Sequence, residues 1–580
     1  MLVVVDTSES FVNPSGRLDI VRIADSKRIR SIDLGGQPDS IDISASEGYA
    51  AIAMENQRNE EFTPPGKSKG DLPQLPAGFV QVIDLDGAPA DWEAHRVDLV
   101  KPDGSALQSF LDAGLTEPAD PEPEYVSINT DDKLALTLQE NNGIVIIDLA
   151  TRAIEKVFSA GAVTASGFDT KKDGKISLTD SLTNVVREPD AIAWVDDTHV
   201  ATANEGDWKG GSRGWTVFDT TNGSVTWDAG SSFEHLAVKH GLYNDDRAAK
   251  KGAEPEGLSV STIDGVKYAF VGSERSNFIA VYDIDDPAAP KFKQILPATN
   301  GPEGILPIPG RNLLAVSSET DDASVNVRAS VSLYELGEGD KKATQFPSIV
   351  ADDVNGSPIG WSALGALSAK PGDPSTVYTA ADTVLKPAQI FTVDVAKTPA
   401  RITSALTVTD NGVPANLDVE GLFARPQGGF WLASEGATGA ANKIYRTDAA
   451  GAIQQTVSLP SSITDHVKNW GLEGVTATTD ADGEHVWTVI QRQLWADVSD
   501  QTETVDGDNI VRIGRYDVND ETWHWYGYEL ESPKRDGGDW VGLSEITAVD
   551  NDTFAVIERD KLQRSERPQQ ADLHRRHPGR

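Results

Sequence analysis

Acidic residues recur along this 580-residue chain in one setting, at the start of an apolar run with the composition of a β-strand. The phrase is an acid followed by a small or variable residue and an aliphatic residue, as in Pro255-Glu256-Gly257-Leu258. Carboxylates at repeated positions can bind hard divalent cations, and Ca²⁺ takes six to eight oxygen ligands. These first acids are Asp39, Glu124, Asp190, Glu256, Glu303, Glu420, Glu473 and Glu545.

A second set of acids ends the next strand in most copies of the phrase, and one of them, Asp382, follows Ser362 in the copy Trp361-Ser362-Ala363-Leu364, which lacks the first acid. Its members are Glu55, Glu140, Glu205, Glu274, Glu319, Asp382, Glu435 and Glu558. Between and after the acids lie short β-rich runs separated by Gly, Asn, Asp and Pro, as antiparallel meanders require. Where the copies are closest, their spacing is near the length of one four-stranded propeller blade. The sequence therefore predicts an all-β chain of tandem β-propellers with four-stranded antiparallel blades, the second propeller being incomplete.

The blade topology predicts where the two sets of acids meet. In a propeller blade the innermost strand starts at the face to which the second strand returns. Both sets of carboxylates should therefore converge on one rim, where like charges are costly unless they are protonated, paired or neutralised by a cation. Two interpretations stay open at each position: a ligand for Ca²⁺, or an acceptor for backbone N–H groups of the neighbouring blade.

Basic residues accompany several of the acids. An acidic rim that carries a metal together with Arg and Lys suits phosphate-ester chemistry, in which cations neutralise developing charge. Salt bridging between neighbours on the rim is the alternative. The basic residues are Arg58, Arg275, Lys443, Arg492, Arg559 and Lys561.

A further candidate for Ca²⁺ is the segment 169–180, which has the spacing of an EF-hand-type loop. Asp169, Asp173 and Asp180 occupy its first, fifth and twelfth positions, and Gly174 the sixth. Lys171 stands where an oxygen ligand is expected, and no flanking helix pattern is present. The alternative is an ordinary turn.

Composition excludes several classes of function. With 51 Lys and Arg against 90 Asp and Glu, the formal charge is −39, which disfavours binding to nucleic acid. The chain has no Cys, so thiolate metal sites and disulfides are excluded. It has no apolar run long enough to span a membrane. The start at 1–5 has the pattern of a strand and not of a signal peptide.

Residues 1–340 resemble the choice-of-anchor I family of secreted bacterial propellers. The resemblance rests on Leu138-Gln139-Glu140-Asn141-Asn142, Ala203-Asn204-Glu205-Gly206-Asp207 and the Pro-acid phrases at 189–192 and 255–258. Residues 355–561 resemble the phytase-like, esterase-like family. There the matches are Val419-Glu420-Gly421-Leu422, Gly429-Phe430-Trp431-Leu432-Ala433-Ser434-Glu435, Asn442-Lys443-Ile444-Tyr445-Arg446 and Ala555-Val556-Ile557-Glu558-Arg559-Asp560. Together these resemblances imply an exported or cell-surface protein that acts on phosphate esters.

The resulting hypothesis is a Ca²⁺-dependent phosphoric-ester hydrolase, phytase-like or alkaline-phosphatase-like, that uses a metal-activated water. The predicted metal ligands are Glu420, Glu435, Glu473, Glu545 and Glu558. Glu435, Glu473, Arg492 and Arg559 are the predicted catalytic residues, and Lys443 is predicted to help hold the phosphate. The alternative is a non-catalytic surface scaffold that binds a protein or a glycan.

The C-terminal segment 562–580 departs from the family pattern. It is rich in Pro, Gln, Arg and His and has no alternating apolar residues. The sequence therefore predicts an irregular basic tail that contributes no strand and leaves the preceding strand at an exposed edge.

Overall fold

The chain folds into two compact units. Unit 1 comprises residues 1–172, 177–237 and 242–346, and unit 2 comprises 173–176, 238–241 and 347–580. The domains predicted from the sequence are 1–340 and 355–561. The computed structural model describes residues 1–324, 327–337, 346–531 and 540–560, and the backbone of 570–576.

Unit 1 consists of antiparallel sheets whose strands follow one another in the chain. The first sheets are β1 (Leu2–Asp6), β2 (Gly16–Arg22), β3 (Lys27–Asp33); β4 (Pro38–Ile43), β5 (Tyr49–Met54), β6 (Phe79–Asp84), β7 (Ala94–Asp98); and β8 (Pro123–Ile128), β9 (Lys133–Leu138), β10 (Gly143–Asp148), β11 (Ala153–Ser159). A hairpin follows, β12 (Ala162–Phe168) and β13 (Asp180–Val186). The last sheets are β14 (Ile192–Asp196), β15 (His199–Ala203), β16 (Trp215–Asp219), β17 (Ser224–Asp228); β18 (Pro255–Ile263), β19 (Val266–Ser273), β20 (Phe278–Asp283), β21 (Lys291–Pro297); and β22 (Pro302–Ile308), β23 (Leu313–Ser318), β24 (Ser330–Glu335).

Unit 2 repeats the pattern. Its first sheet contains β25 (Ile349–Ala351), β28 (Leu364–Lys370), β29 (Asp373–Ala381), β30 (Gln389–Asp394) and β31 (Ala400–Thr407). The next sheets are β34 (Asp418–Ala424), β35 (Phe430–Glu435), β36 (Lys443–Thr447), β37 (Ile453–Ser458); β38 (Leu472–Thr479), β39 (Glu484–Ile490), β40 (Ile510–Asp517), β41 (Thr522–Glu529); and β42 (Val541–Ala548), β43 (Thr553–Asp560), β44 (Gln570–Arg576). Two short hairpins are β26 (Asp353–Val354) with β27 (Ser357–Pro358), and β32 (Thr409–Asp410) with β33 (Val413–Pro414).

Helices are few and short among the described residues. The sequence around 106–115 predicts the main exception to the β pattern, and a short helix lies there. The helices are α1 (Gln108–Asp112), α2 (Ser232–Lys239) and α3 (Ser461–Thr464), with 3₁₀ turns at Asp245–Arg247, Pro309–Arg311 and Gly439–Ala441.

The first strand of each sheet lies innermost, because consecutive sheets contact one another through their first strands. In unit 1 the contacts run in series from β1 through β4, β8, β14 and β18 to β22. In unit 2 they run from β28 through β34 and β38 to β42. The prediction of all-β propellers with four-stranded antiparallel blades is confirmed, and the described residues of unit 2 hold four blade-like sheets.

The hydrophobic core lies between neighbouring sheets. Residues 430–434 of β35 are all buried, because this second strand is covered by sheets on both faces. Trp431 is fully buried and packs with Val475 and Val486 of the next sheet. The outermost strand β41 instead alternates in burial along most of its length, since one of its faces meets solvent. This gradient from centre to edge explains why the inner strands have continuous apolar runs.

The prediction that the tail contributes no strand is wrong for Gln570–Arg576. These residues form β44, which pairs antiparallel with β43 from Thr553 to Arg559. The pairing uses backbone groups, so an open strand edge can be covered by a segment without an alternating apolar pattern. Of the remaining tail, 561–569 and 577–580 lie outside the described residues, as does the candidate Lys561.

Candidate functional site

Most of the first acids lie in β-bulges at the start of the innermost strands. The pairing of β34 with β35 shifts register between Val419 and Gly421, which leaves Glu420 as the extra residue. The pairing of β38 with β39 shifts in the same way around Glu473. A bulge adds an unpaired residue and re-aims its side chain. The same shift occurs around Asp39, Glu124, Glu256 and Glu303.

The glycine that follows the acid allows the innermost strands to approach closely. A Cβ atom on Gly421 would lie 2.6 Å from the backbone N of Val475 and 2.8 Å from the carbonyl O of Glu473. Neither atom belongs to a flexible side chain, so a larger residue would push two inner strands apart. The acid and the glycine therefore act together, one as a possible ligand and the other as the spacer that brings neighbouring acids near one another.

Replacing Gly421 with alanine is expected to destabilise unit 2 by about 1–3 kcal/mol, the usual cost of inserting atoms into a packed region. Urea unfolding followed by tryptophan fluorescence measures the effect. Gly365→Ala is the matched control, because a Cβ there meets only a carbonyl oxygen at 3.9 Å. Equal losses in the two variants would contradict the close approach of the inner strands.

Three carboxylates of unit 2 form a group with the spacing of metal ligands. Oxygen atoms of Asp382, Asp418 and Glu420 all lie within 4.8 Å of one another. Burial, with the charge of Asp382 next in importance, raises the pKa of Glu420 to about 8. The same two causes raise the pKa of Asp418. A divalent cation here would remove the mutual repulsion, and the all-oxygen donor set fits Ca²⁺.

Glu435 and Glu473 lie close enough to this group to interact electrostatically with Glu420. Burial raises the pKa of Glu435, whose carboxylate accepts a hydrogen bond from the N–H of Gly471. Burial and then the charge of Glu420 raise the pKa of Glu473 to about 9, while Arg559 acts in the opposite direction. Glu473 also accepts a hydrogen bond from the side-chain amide of Gln491. Glu473 therefore connects the acidic group to a cationic one.

The cationic side of this rim is built from Arg559 and Arg492 around an indole ring. The guanidinium carbons of Arg492 and Arg559 lie 4.5 Å and 5.5 Å from the centre of the Trp540 ring. Arg492 also lies 5.3 Å from the ring centre of Trp470. Burial lowers the pKa of Arg492, although an arginine stays charged under such a shift. A cavity of about 100 Å³, lined by Arg492, Trp540 and Glu531, opens beside them.

The other predicted site residues of unit 2 lie in different surroundings. Burial raises the pKa of Glu545 to about 8, and its carboxylate accepts from the N–H of Ile546. Glu558 is buried and accepts hydrogen bonds from the hydroxyl of Tyr528 at 2.6 Å and the N–H of Glu531 at 3.0 Å. Glu558 therefore connects its own sheet to the neighbouring one. This corresponds to the alternative in which a rim acid accepts backbone N–H groups of the next blade instead of binding a metal. Lys443 is half-buried and pairs across the sheet with Ser434.

The EF-hand-like segment has the hydrogen bonds of a turn. Asp180 accepts from the Nζ of Lys171 at 2.8 Å and from the hydroxyl of Thr170. Asp169 accepts backbone N–H groups of Lys171 and Ser177, and Asp173 accepts that of Lys175. The acids 169, 173 and 180 do not join a group of the kind formed at 382, 418 and 420. Lys171, which stands at a ligand position of the EF-hand pattern, forms an ion pair with Asp180 at the last position.

The acids of unit 1 meet at its rim as the blade topology predicts. Asp39 is exposed at the surface of the rim, yet the dense protein around it and then the charge of Glu303 raise its pKa to about 7, although the two residues belong to different sheets. Burial raises the pKa of Asp190, with Glu205 and Asp39 the next causes. Three groups of carboxylates have oxygens within 4.8 Å of one another: Asp39–Glu55–Glu124, Asp190–Glu205–Glu256 and Glu205–Glu254–Glu274.

A third set of acids, two residues before the first, was missed in the sequence. Asp418 precedes Glu420 in this way and completes the metal-like group of unit 2. In unit 1 the same position holds Glu122, Glu188 and Glu254. The sequence signal for this set is a repeated acid-x-acid spacing, in which the middle residue is proline in unit 1 and Val419 in unit 2.

Comparisons with known proteins agree with both resemblances. Residues 1–210 and 208–287 match the choice-of-anchor I domain, and residues 359–576 match the family described as having the esterase-like activity of phytase. The chain thus carries the two regions in the predicted order. No curated protein sequence matches the chain.

Several solved structures resemble the chain at low similarity. A protein of unknown function from Desulfotomaculum acetoxidans is 10% identical, with 72% of this chain and 96% of that chain covered and a TM-score of 0.31. The periplasmic gluconolactonase of Pseudomonas aeruginosa is 12% identical, with 70% and 94% covered and a TM-score of 0.31. Apo AztD from Citrobacter koseri is 13% identical, with 79% and 94% covered and a TM-score of 0.25. Similarity at this level carries no information about substrate.

Within the part of the chain that the structure describes, no helix has both the length and the apolar character needed to cross a bilayer.

Proposed function

We propose that this chain, in which a choice-of-anchor I region precedes a phytase-like region, is an exported or cell-surface hydrolase of phosphate esters that depends on Ca²⁺. The observation that carries the proposal is the juxtaposition in unit 2 of an acidic group with the spacing of metal ligands and a pair of arginines. Glu473 joins the two, since it interacts electrostatically with both Glu420 and Arg559.

In this proposal Asp382, Asp418 and Glu420 hold the cation, and Glu435 and Glu473 stand beside it. When bound, Ca²⁺ would neutralise charge on the phosphate and make a water molecule a better nucleophile. Arg559 and Arg492 bind the phosphoryl oxygens, and cation–π contacts with Trp540 hold the two guanidinium groups in position. Cations fixed in advance around the phosphoryl group stabilise the charge that develops as the ester bond breaks.

The reaction balances as a hydrolysis. Water attacks phosphorus, the P–O bond to the alcohol breaks, and the products are inorganic phosphate and the free alcohol. Glu473 lies between the acidic and cationic groups, so its carboxyl is placed to give a proton to the oxygen of the leaving alcohol and to regain one that the attacking water releases. Lys443, Glu545 and Glu558 are supporting residues in this scheme, and Glu558 acts through its contacts with the adjacent sheet.

Phosphate release from p-nitrophenyl phosphate, with CaCl₂ or with EDTA, tests the proposal. Replacing Arg559 with glutamine is expected to lower kcat/KM by about 10²–10³, the usual effect of removing a donor that stabilises transition-state charge. Glu420→Gln should give a similar loss and also weaken the dependence on CaCl₂. The exposed Glu529, on an outer strand of the same unit, provides the control Glu529→Gln, which should retain wild-type activity.

The second candidate function is a non-catalytic rim that binds a glycan. The indole rings of Trp470 and Trp540 on either side of Arg492 favour it, because aromatic faces beside a cation suit a sugar with an acidic substituent. Wild-type protein that releases no phosphate with either CaCl₂ or EDTA, yet keeps its fold, would reject hydrolysis and leave this candidate.

A further inference from the structure

The acidic group at Asp39, Glu55 and Glu124 in unit 1 differs from every other cluster of acids at that rim. Glu55 is only 6% exposed, and Oε2 of Glu124 is fully buried without a hydrogen-bond partner. Within the described residues, none of the three carboxylates accepts a hydrogen bond, although their oxygens lie within 4.8 Å of one another. Asp39 is exposed to solvent, but the buried Glu55 and the buried oxygen of Glu124 have no donor among the described residues, which disfavours the empty, fully ionised state of the group.

The neighbouring acidic groups of unit 1 contain their own cations. Glu205 accepts hydrogen bonds from the Nζ of Lys251 and from Gln139, both at 2.8 Å. Glu254 accepts from Arg247 at 2.6 Å, and Glu274 is paired with Arg275 at 2.6 Å. The chain thus supplies a basic side chain to the other two groups.

Arg58 acts on the unpaired group through its charge. It is 4% exposed and is engaged elsewhere, since its two terminal nitrogens donate to Glu140 and Asp207. Glu122 lies 3.7 Å from the same guanidinium. Arg58 reaches Glu55 only as a more distant charge, so the group 39–55–124 has no counter-ion in contact.

From these contacts we infer that Asp39, Glu55 and Glu124 form a binding site for a hard divalent cation, most suited to Ca²⁺, at the rim of unit 1. Three carboxylates supply up to six oxygens, and water can complete the coordination of an ion that takes six to eight. Asp39 lies in β4, Glu55 directly follows β5, and Glu124 lies in β8, so the cation would join two adjacent blades. This site is separate from the proposed catalytic rim of unit 2 and does not depend on it.

Titration of the EDTA-stripped full-length chain with CaCl₂ by isothermal titration calorimetry tests the inference. Glu55→Gln keeps the size of the side chain and removes one charge. The variant is expected to bind one Ca²⁺ fewer per molecule, or to bind it at least about tenfold more weakly, because affinity follows the number of charged ligands. Glu420→Gln should leave this binding event intact, so failure at one rim is distinguishable from failure at the other.

Glu303→Gln is the control, because Glu303 has on β22 the bulge position that Asp39 has on β4 and affects Asp39 only through its charge. If Glu303→Gln and Glu55→Gln weakened Ca²⁺ binding equally, the inference would be overturned. The rim would then attract Ca²⁺ through its total negative charge and not through these three ligands. Unchanged Ca²⁺ binding in Glu55→Gln would also overturn it. In EDTA the thermal midpoint of Glu55→Gln should equal or exceed that of the wild type, and its rise on adding CaCl₂ should shrink; a folded variant with the full wild-type rise would contradict the site.

Discussion

Replacing Arg58 with methionine is expected to lower the free energy of unfolding of unit 1 by about 3–5 kcal/mol, the usual cost of breaking a buried ion pair by removing one partner. The guanidinium is 4% exposed and contacts Glu140 and Asp207 directly, with Glu122 at 3.7 Å. Methionine fills a similar volume, so the loss should come from the carboxylates left without a cation. Urea unfolding in EDTA measures it.

A pair at the surface of the same unit provides the control. Arg328 lies 3.0 Å from Asp321, and their side chains are 68% and 45% exposed. Arg328→Met should change the stability by less than about 1 kcal/mol, as exposed pairs do. A loss in Arg58→Met no larger than that of the control would show that the buried network contributes little to stability.

In EDTA the stability of unit 2 is expected to fall by about 3 kcal/mol or more between pH 5 and pH 8. Glu473 and Glu545 are buried or half-buried, and burial raises their pKa values to about 9 and about 8. Between the ordinary carboxyl pKa near 4.3 and these raised values, the native state binds more protons than the unfolded state. The stability that these two carboxyls contribute is therefore fully present below the ordinary carboxyl pKa. It is lost as the pH rises through the raised pKa values of the native state.

Urea unfolding at both pH values, with EDTA and with CaCl₂, measures this slope. Glu473→Gln removes one of the two groups, so its stability should depend less on pH than that of the wild type. Ca²⁺ bound near Glu420 would reduce the repulsion acting on Glu473 and flatten the curve further. Stability that rises from pH 5 to pH 8 in EDTA would contradict the raised pKa values of Glu473 and Glu545.

The strands and the convergence of the acids at a rim were predictable from the sequence, because both follow from local composition and blade topology. Glu420 and Glu473 begin inner strands, and the two-strand return brings Glu435 to the same side. The direction of individual side chains was not predictable. Glu558 and Arg559 are adjacent, and which of them faces the rim depends on the phase of β43 against the next sheet.

The bulges were also beyond sequence reasoning, since an extra residue in one strand is defined only by its pairing partner. Asp418 and Glu420 are two residues apart, the spacing that alternation places on one face of a strand, and both lie near Asp382 even though the bulge falls between Val419 and Gly421. The strand β44 was missed for a related reason. Its formation depends on the open edge of β43, and the composition of the tail contains no sign of that edge.

Meanders of consecutive strands such as β4–β7 can form from nearby chain segments, whereas the ion pairs of Arg58 join residues 82 and 149 positions apart. The carboxylates of different sheets meet only when those sheets pack, so their mutual repulsion develops late on the folding pathway. Interactions absent from the transition state change the unfolding rate and leave the folding rate nearly unchanged. A bound cation would therefore act on the lifetime of the folded unit and have little influence on the speed with which the unit forms.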